Sequence, residues 1–389
     1  MTKQKRNRKH FHILLAVCMA VLVIVLDVCF ILQPDRESSE TENRNLQQFP
    51  AMTWNTVTSG RFETLFDRYV ADQFPGRNAW IGVQAVIARM AGNTVSHDIF
   101  LGKNGYLIQR FEEPSEEDYG RMLEDFSEVV RIVDHIETEE AQSTEVNEAE
   151  QEMEESPDET GTDIRIYALI APTAVSVLKD QLPANAYPMV SGDEDAFMDQ
   201  LFGDLQDLGI ESIDVRPALQ ALKDSGTQVY YRTDHHWTTD AAYEAWKEFA
   251  AAAQLPADHV TYDRLAVTDQ FQGTLSASSG FRTDQKEMIC MYMPREIVTE
   301  EDTEAGDGEI RYLMVNRDTG EKRSSLYDTS FLDTRDKYAF FMGGNHGEVK
   351  IQTNADTDRN ILVLKDSYAN CLIPFLLPDF QNILVVDPR

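Results

Sequence analysis

Cysteine is scarce in this sequence. Of 389 residues only four are cysteine, and none forms a Cys-x-x-Cys or Cys/His spacing. A zinc-organised fold is therefore not indicated. Cys18 and Cys29 fall in an apolar run. Cys290 and Cys371 are left as a pair that could form one disulfide, although nothing in their spacing demands it. Basic residues are also few, with 35 Lys and Arg against 67 Asp and Glu, for a formal charge of −32. Such a chain repels polyanions, which excludes nucleic acid as a partner. Large apolar residues are almost missing from residues 137–163, which hold twelve acidic groups and no basic one. A segment of that composition cannot offset the entropy of ordering, and it is expected to be a disordered insertion. An acidic tether for cations or a partner is the functional alternative.

One long hydrophobic run is present, at residues 13–32. Twenty apolar residues suffice to cross a bilayer as a helix. Lys3, Lys5, Arg6, Arg8 and Lys9 precede it, and Glu37, Glu40 and Glu42 follow. The excess of positive charge places residues 1–12 in the cytoplasm as a basic tail and everything beyond the run outside the cell. Asp27, near the outer end, is the one charge in the run. A cleaved signal peptide is the rival reading. The length of the run, and the want of a small-x-small site after it, favour an uncleaved anchor.

A polar linker is expected over residues 33–60, then one extracytoplasmic domain over 61–389. Phe62, Leu65, Phe66, Tyr69 and Val70 recur at helical spacing, and residues 80–90 read as a second helix. Residues 99–108 read as a hairpin turning at Asn104-Gly105. Met122, Leu123, Phe126, Val129, Val130, Val133 and Ile136 form another amphipathic stripe. Strand then alternates with helix: strands at 164–170, 210–215, 340–342, 361–364 and 383–386, and helices at 196–208, after Thr238 and at 368–377. That alternation predicts an α/β fold with a mainly parallel sheet.

The most informative stretch is Arg232-Thr233-Asp234-His235-His236-Trp237-Thr238, just after Val229-Tyr230-Tyr231. Asp234 and His236 are two residues apart, so both can sit on one side of an extended or tightly looped backbone. The carboxylate can then fix the tautomer of an imidazole that serves as general base. The best nucleophile is Ser367, in Lys365-Asp366-Ser367-Tyr368-Ala369-Asn370 after the strand at 361–364. It lies beyond a strand's carboxyl end and at a helix start, where N–H groups can meet an oxyanion. Each residue also has a plainer role. Ser367 can cap a helix. His235 and His236 can be a structural pair, or can bind a metal with Asp234 and Asp240, although adjacent ligands point apart in a strand. Trp237 reads as core rather than sugar platform. Gly343-Gly344-Asn345 can supply an oxyanion donor or simply turn the chain.

These two motifs, in this order, resemble the DHHW proteins of Gram-positive bacteria, named for Asp-His-His-Trp. More distantly they are similar to the alginate O-acetyltransferase proteins, whose outer domain is SGNH-hydrolase-like. Glu42-Asn43-Arg44-Asn45-Leu46, Asp72-Gln73-Phe74-Pro75-Gly76-Arg77 and Gly102-Lys103-Asn104-Gly105-Tyr106 support the likeness. The resemblance implies a three-layer α/β/α sandwich with permuted strand order, because Asp-Ser stands here near the C-terminus. It implies Asp234 as orienting acid, His236 as base and Ser367 as nucleophile, with Asn345, Gly344, Tyr368, His235 and Trp237 as further oxyanion or substrate-binding candidates. A closing helix is expected where the chain stops at Asp387-Pro388-Arg389.

The expected function is serine acyl transfer, as an O-acetyltransferase or acetylesterase without cofactor or metal. The substrate would be a cell-wall or exported polysaccharide, and a separate membrane protein would bring acyl groups across the bilayer. Two alternatives are a non-catalytic polysaccharide-binding or scaffold protein, with Trp237 and the aromatics near Tyr230 on sugar rings, and a metal-dependent hydrolase using His235 and His236.

Overall fold

The computed structural model describes residues 3–39, 44–150, 164–186, 192–256, 260–281, 283, 285–296 and 310–388. The chain divides into two compact units, one of residues 1–97 with 276–283 and one of residues 98–275 with 284–389. The division falls inside the segment expected to be a single domain from residue 61.

The first unit opens with helix Lys3–Leu32, whose apolar part His10–Leu32 is long and apolar enough to cross a membrane and is largely exposed. Helices Arg61–Gln73 and Arg77–Met90 follow as the periodicity predicts. The Asp72-Gln73 pair ends the first of these and is buried. Asp72 accepts from the Gln47 N–H at 2.9 Å, and Gln73 Oε1 accepts from the Arg36 N–H at 3.0 Å. Two polar side chains thus stitch the residues after the apolar helix to the next helix.

In the second unit the hairpin Ile99–Leu101 and Leu107–Gln109 pairs Phe100 with Ile108. Asn104 turns it in a left-handed conformation, which asparagine tolerates. The stripe Met122, Leu123, Phe126 and Val130 lies on helix Glu116–Glu150 and packs on Ala168, Leu201, Leu205 and Ile210. This helix continues through residues 137–150, where the composition suggested disorder. Glu, Ala and Gln are strong helix formers. Residues 151–163, the rest of the expected insertion, lie outside the described residues.

The mainly parallel sheet is not found. Strands Tyr167–Leu169 and Glu211–Ile213 form a parallel pair across helix Glu194–Asp207. The largest sheet runs Lys322–Arg323, Tyr312–Asn316, Glu348–Thr353, Asn382–Val386, Asn360–Leu364, and only its last two strands are parallel. A long ribbon, Val260–Phe271 with Glu287–Glu296, is antiparallel as well. The link 317–321 leaves no room for a crossover, so Tyr312–Asn316 and Lys322–Arg323 must pair antiparallel. Three further expectations are corrected. Residues 361–364 form an edge strand whose Leu362 and Leu364 are exposed, not a buried one. Residues 368–377 form two 3₁₀ segments, Ser367–Cys371 and Ile373–Leu376, because Pro374 interrupts the ladder. Phe340 ends another 3₁₀ turn, Lys337–Phe340, and Phe341 makes only an isolated bridge to Tyr327, so residues 340–342 form no strand.

Candidate active site

The Asp-His-His-Trp run is a closed loop rather than the open end of a parallel strand. Tyr230 and Trp237 bridge across its base. Tyr231 N–H donates to His236 O at 3.2 Å, and Thr238 N–H donates to Val229 O at 2.8 Å. Thr238 then caps helix Thr239–Ala252 through Ala241 N–H. Inside the loop sits the buried carboxylate of Glu287, from the start of the ribbon's second strand. It accepts from Arg232 N–H and Gln228 Nε2 on one oxygen, both at 2.7 Å, and from Thr233 N–H and Oγ1 on the other, at 3.0 and 2.8 Å. The residues just past the ribbon's first strand close the other side. Gly273 N–H donates to Thr233 Oγ1 at 2.8 Å. A Cβ at Gly273 would stand 2.2 Å from the Asp234 Cβ, so only glycine fits.

This frame fixes Asp234. One carboxylate oxygen accepts from His236 Nδ1 at 2.6 Å and from His236 N–H at 3.1 Å. The other accepts from Thr274 N–H at 2.9 Å and lies 3.3 Å from Thr274 Oγ1. Burial alone would raise the Asp234 carboxyl. The charge of the two neighbouring imidazoles and the hydrogen bonds from His236 and Thr274 outweigh it and hold the group well below the usual carboxylate range. With Nδ1 on the carboxylate, His236 presents Nε2 outward, 2.9 Å from Ser367 Oγ. Asp234 and His236 are buried, whereas Ser367 is half-buried and open to solvent.

Ser367 is held from its own side. Asp366, not Ser367, caps the 3₁₀ turn, accepting from Tyr368 N–H at 2.8 Å. Lys365 is buried in an ion pair with Asp387 at 3.0 Å. Two reciprocal bonds clip the loops together: Trp237 Nε1 donates to Tyr368 O at 2.9 Å, and Tyr368 OH donates to His235 O at 2.6 Å. Burial pushes the Tyr368 and Tyr338 hydroxyls upward, so both stay neutral donors. Cys371 is likewise buried, and its thiol is pushed up to about 12. It remains protonated and is no rival to the serine. Cys290 and Cys371 are both free, so the suggested disulfide is not formed.

The other candidates divide. Asn345 is tied to Asn370, three residues past Ser367, its Oδ1 accepting from Asn370 Nδ2 at 3.0 Å. That turns its own amide nitrogen elsewhere, and among the described residues this nitrogen meets no acceptor. Gly344 has its N–H engaged by Phe341 O at 3.1 Å and serves the turn rather than an anion. His235 is partly exposed, its ring 3.9 Å from that of His236, with Nδ1 3.7 Å from Asp234, beyond hydrogen-bonding range. Trp237, Tyr230 and Tyr231 are no more than 1% exposed, so these three do not form the aromatic sugar platform of the binding-protein alternative. The metal alternative has ligand atoms of Asp234, His235 and His236 within 4.8 Å of one another. Asp240 is instead paired with Arg264 at 2.6 Å, and the Asp234 oxygens and His236 Nδ1 are committed to the bonds above. Sequence reading missed Glu287, Thr274, Gly273 and Tyr338. None stands in a motif, and only pairing across the ribbon brings the first three to the loop.

Residues 131–312 match a family model described as the SGNH hydrolase-like domain of the acetyltransferase AlgX. The match takes in the Asp-His-His-Trp loop and stops before Ser367. No curated protein matches the sequence. Among solved structures the chain is similar to a DHHW family protein from Eubacterium siraeum, at 24% identity over 58% of this chain and 70% of that one, with a TM-score of 0.45. PatB1 of Bacillus cereus is 14% identical over 74% and 84%, with a TM-score of 0.48. The O-acetyltransferase domain of Pseudomonas putida AlgJ is 16% identical over 51% and 66%, with a TM-score of 0.37. Residues 131–312, somewhat under half of the chain, are thus similar to the SGNH hydrolase-like domain described for the acetyltransferase AlgX, within a chain of mixed α/β content.

Proposed function

We propose that this chain is a serine acyl-transfer enzyme, an O-acetyltransferase or acetylesterase, held on the outer face of a membrane and acting on a cell-wall or exported polysaccharide. The observation that carries this reading is the continuous run of hydrogen bonds from Asp234 through His236 to a solvent-accessible Ser367. The acetyltransferase description of the matching family model supports the reaction class.

In this mechanism His236 Nε2 takes the Ser367 proton as Oγ attacks the acyl carbonyl carbon. The positive charge that forms on the imidazole is met by the Asp234 carboxylate. Ser367 N–H, which among the described residues donates to no acceptor, and Asn345 Nδ2 would receive the oxyanion. The protonated His236 gives its proton to the leaving group, and an acyl-serine remains. His236 then deprotonates a sugar hydroxyl or water, which attacks the ester and restores the serine. The apolar helix His10–Leu32 would hold the enzyme in the bilayer, with its basic N-terminal residues in the cytoplasm. A transferase so placed needs a membrane partner to supply acyl groups from inside.

The test is to incubate the full chain with an activated acetyl ester and follow turnover and the mass of the peptide containing Ser367. An acetyl adduct on that peptide and a loss of at least about a thousandfold in Ser367→Ala and His236→Ala are expected. Unchanged turnover in both variants would overturn the assignment. Adding a soluble oligosaccharide separates the two outcomes: acetylated sugar marks a transferase, free acetate an esterase.

A further inference from the structure

Helix Arg77–Met90 has two apolar sides, and only one is covered. Ile81, Gly82 and Ala85 are buried. Trp80, Val83, Val86, Ile87 and Met90 face solvent, with exposures from 48% for Trp80 to 84% for Met90. Positions 80, 83, 87 and 90 repeat at helical spacing and make one continuous stripe. A stripe of that size on an extracellular unit needs an occupant.

Its place in the first unit points to one. The outer end of the apolar helix is fastened to the helix that precedes Arg77–Met90. Phe30 meets Tyr69 edge-on, with ring centroids 5.8 Å apart, and Gln33 Nε2 donates to Gln73 O at 3.1 Å. Arg36 Nη2 donates to Asp72 O at 2.7 Å. Only Phe74, Pro75 and Gly76 separate this junction from Arg77, whose Nε stands 4.0 Å from Asp72. The stripe therefore begins at Trp80, seven residues past Gln73, to which Gln33 at the end of the apolar helix is bonded. Charge points the same way. Helix Arg77–Met90 contains Arg77 and Arg89 and no acidic residue. Residues 33–97 hold six arginines against seven acidic groups, in a chain of net charge −32. This unit can approach an anionic surface that repels the rest of the chain.

We propose that helix Arg77–Met90 lies in the outer interface of the bilayer, with its Trp80–Met90 stripe among the upper acyl chains and the exposed Arg89 at anionic headgroups. The arrangement is that of an interfacial amphipathic helix, with a tryptophan at headgroup depth. It rests on the reading of residues 10–32 as an uncleaved anchor, and it would fix the height and tilt of the first unit above the membrane.

The test places the photo-crosslinker p-benzoylphenylalanine at one position at a time in the full chain: Leu22→Bpa in the span, Val83→Bpa and Ile87→Bpa on the stripe, and Asn78→Bpa off it. The protein is reconstituted in vesicles of phosphatidylglycerol and phosphatidylethanolamine, and adducts are identified by mass spectrometry. Lipid adducts at Val83 and Ile87 several-fold above those at Asn78 are expected. Lipid adducts at Leu22 with none at Val83 or Ile87 would overturn the inference and leave the anchor standing. Adducts of Val83 to a second copy of the chain, or in cells to another protein in place of lipid, would overturn it too. No lipid adduct at Leu22 would instead refute the anchor.

Discussion

The ring of Tyr338 lies flat against the imidazole of His236, with centroids 3.9 Å apart and planes 12° from parallel. Its hydroxyl reaches Ser367 O at 3.2 Å and Cys371 Sγ at 3.4 Å. One buried side chain thus sets the plane of the proposed base and touches the backbone of the proposed nucleophile. Tyr338→Phe keeps the stack and is expected to retain turnover within about tenfold, the worth of one neutral hydrogen bond. Tyr338→Leu removes the stacked face and is expected to lose about a hundredfold, because the imidazole is no longer held in line. Steady-state kinetics on an activated acetyl ester compares the two.

Asp234 links activity to pH stability. Its folded carboxyl is held below the ordinary value of about 3.9, so the unfolded chain binds that proton more readily. The stability it contributes is present above that value and is lost as pH falls toward the folded one. Urea midpoints measured from pH 6 down to pH 3 should fall with acid in the native chain and fall less steeply in Asp234→Asn. The same variant should lose turnover on the order of 10⁴-fold at neutral pH, because an amide no longer enforces the tautomer.

Glu287 accepts four hydrogen bonds from the loop that carries Asp234. Glu287→Ala leaves buried donors on Arg232 and Thr233 unanswered. A loss of about 3 kcal/mol is expected, from the worth of bonds to a charged group and the cost of orphaned donors. Glu287→Gln keeps the shape and should cost less. Chemical denaturation ranks the two, and equal stability of all three proteins would remove Glu287 from its role.

Gly273→Ala puts a methyl where Asp234 stands. The carboxylate must move, and a displacement near 1 Å costs on the order of a hundredfold in rate. A crystal structure of the variant should show a longer Asp234–His236 contact together with that loss. Retained turnover would mean that the loop adapts.

Asn345→Ala removes the amide assigned to the oxyanion. A drop of about 10²–10³ in kcat with little change in KM is expected, since the bond strengthens only in the transition state. A change confined to KM would make Asn345 a substrate-binding residue instead.

Elements set by local chemistry were legible in the sequence. Helices Arg61–Gln73 and Glu194–Asp207 follow from apolar spacing at 3.6 residues per turn. The hairpin at Asn104 follows from a turn residue that accepts positive φ. Strand direction was not legible: residues 312–316, 348–353 and 382–386 look alike whether neighbours run with or against them, and the links 317–347 and 354–381 are long enough for either. The exposed stripe of residues 80–90 read as an ordinary helix, because periodicity shows a face without showing what covers it.

The same boundary divides the site. Asp234 and His236 are neighbours in the chain, and a bond between residues two apart needs little more than a tight loop. Ser367 was chosen by its position past a strand, and that position is borne by the chain alone. Its 2.9 Å approach to His236, across 131 residues, required the packed sheet and the two clips through Trp237 and Tyr368. Residue types and their short-range spacing determined which groups could react. Only long-range packing decided that they meet, because contact between distant segments depends on the summed burial of the whole core rather than on any motif.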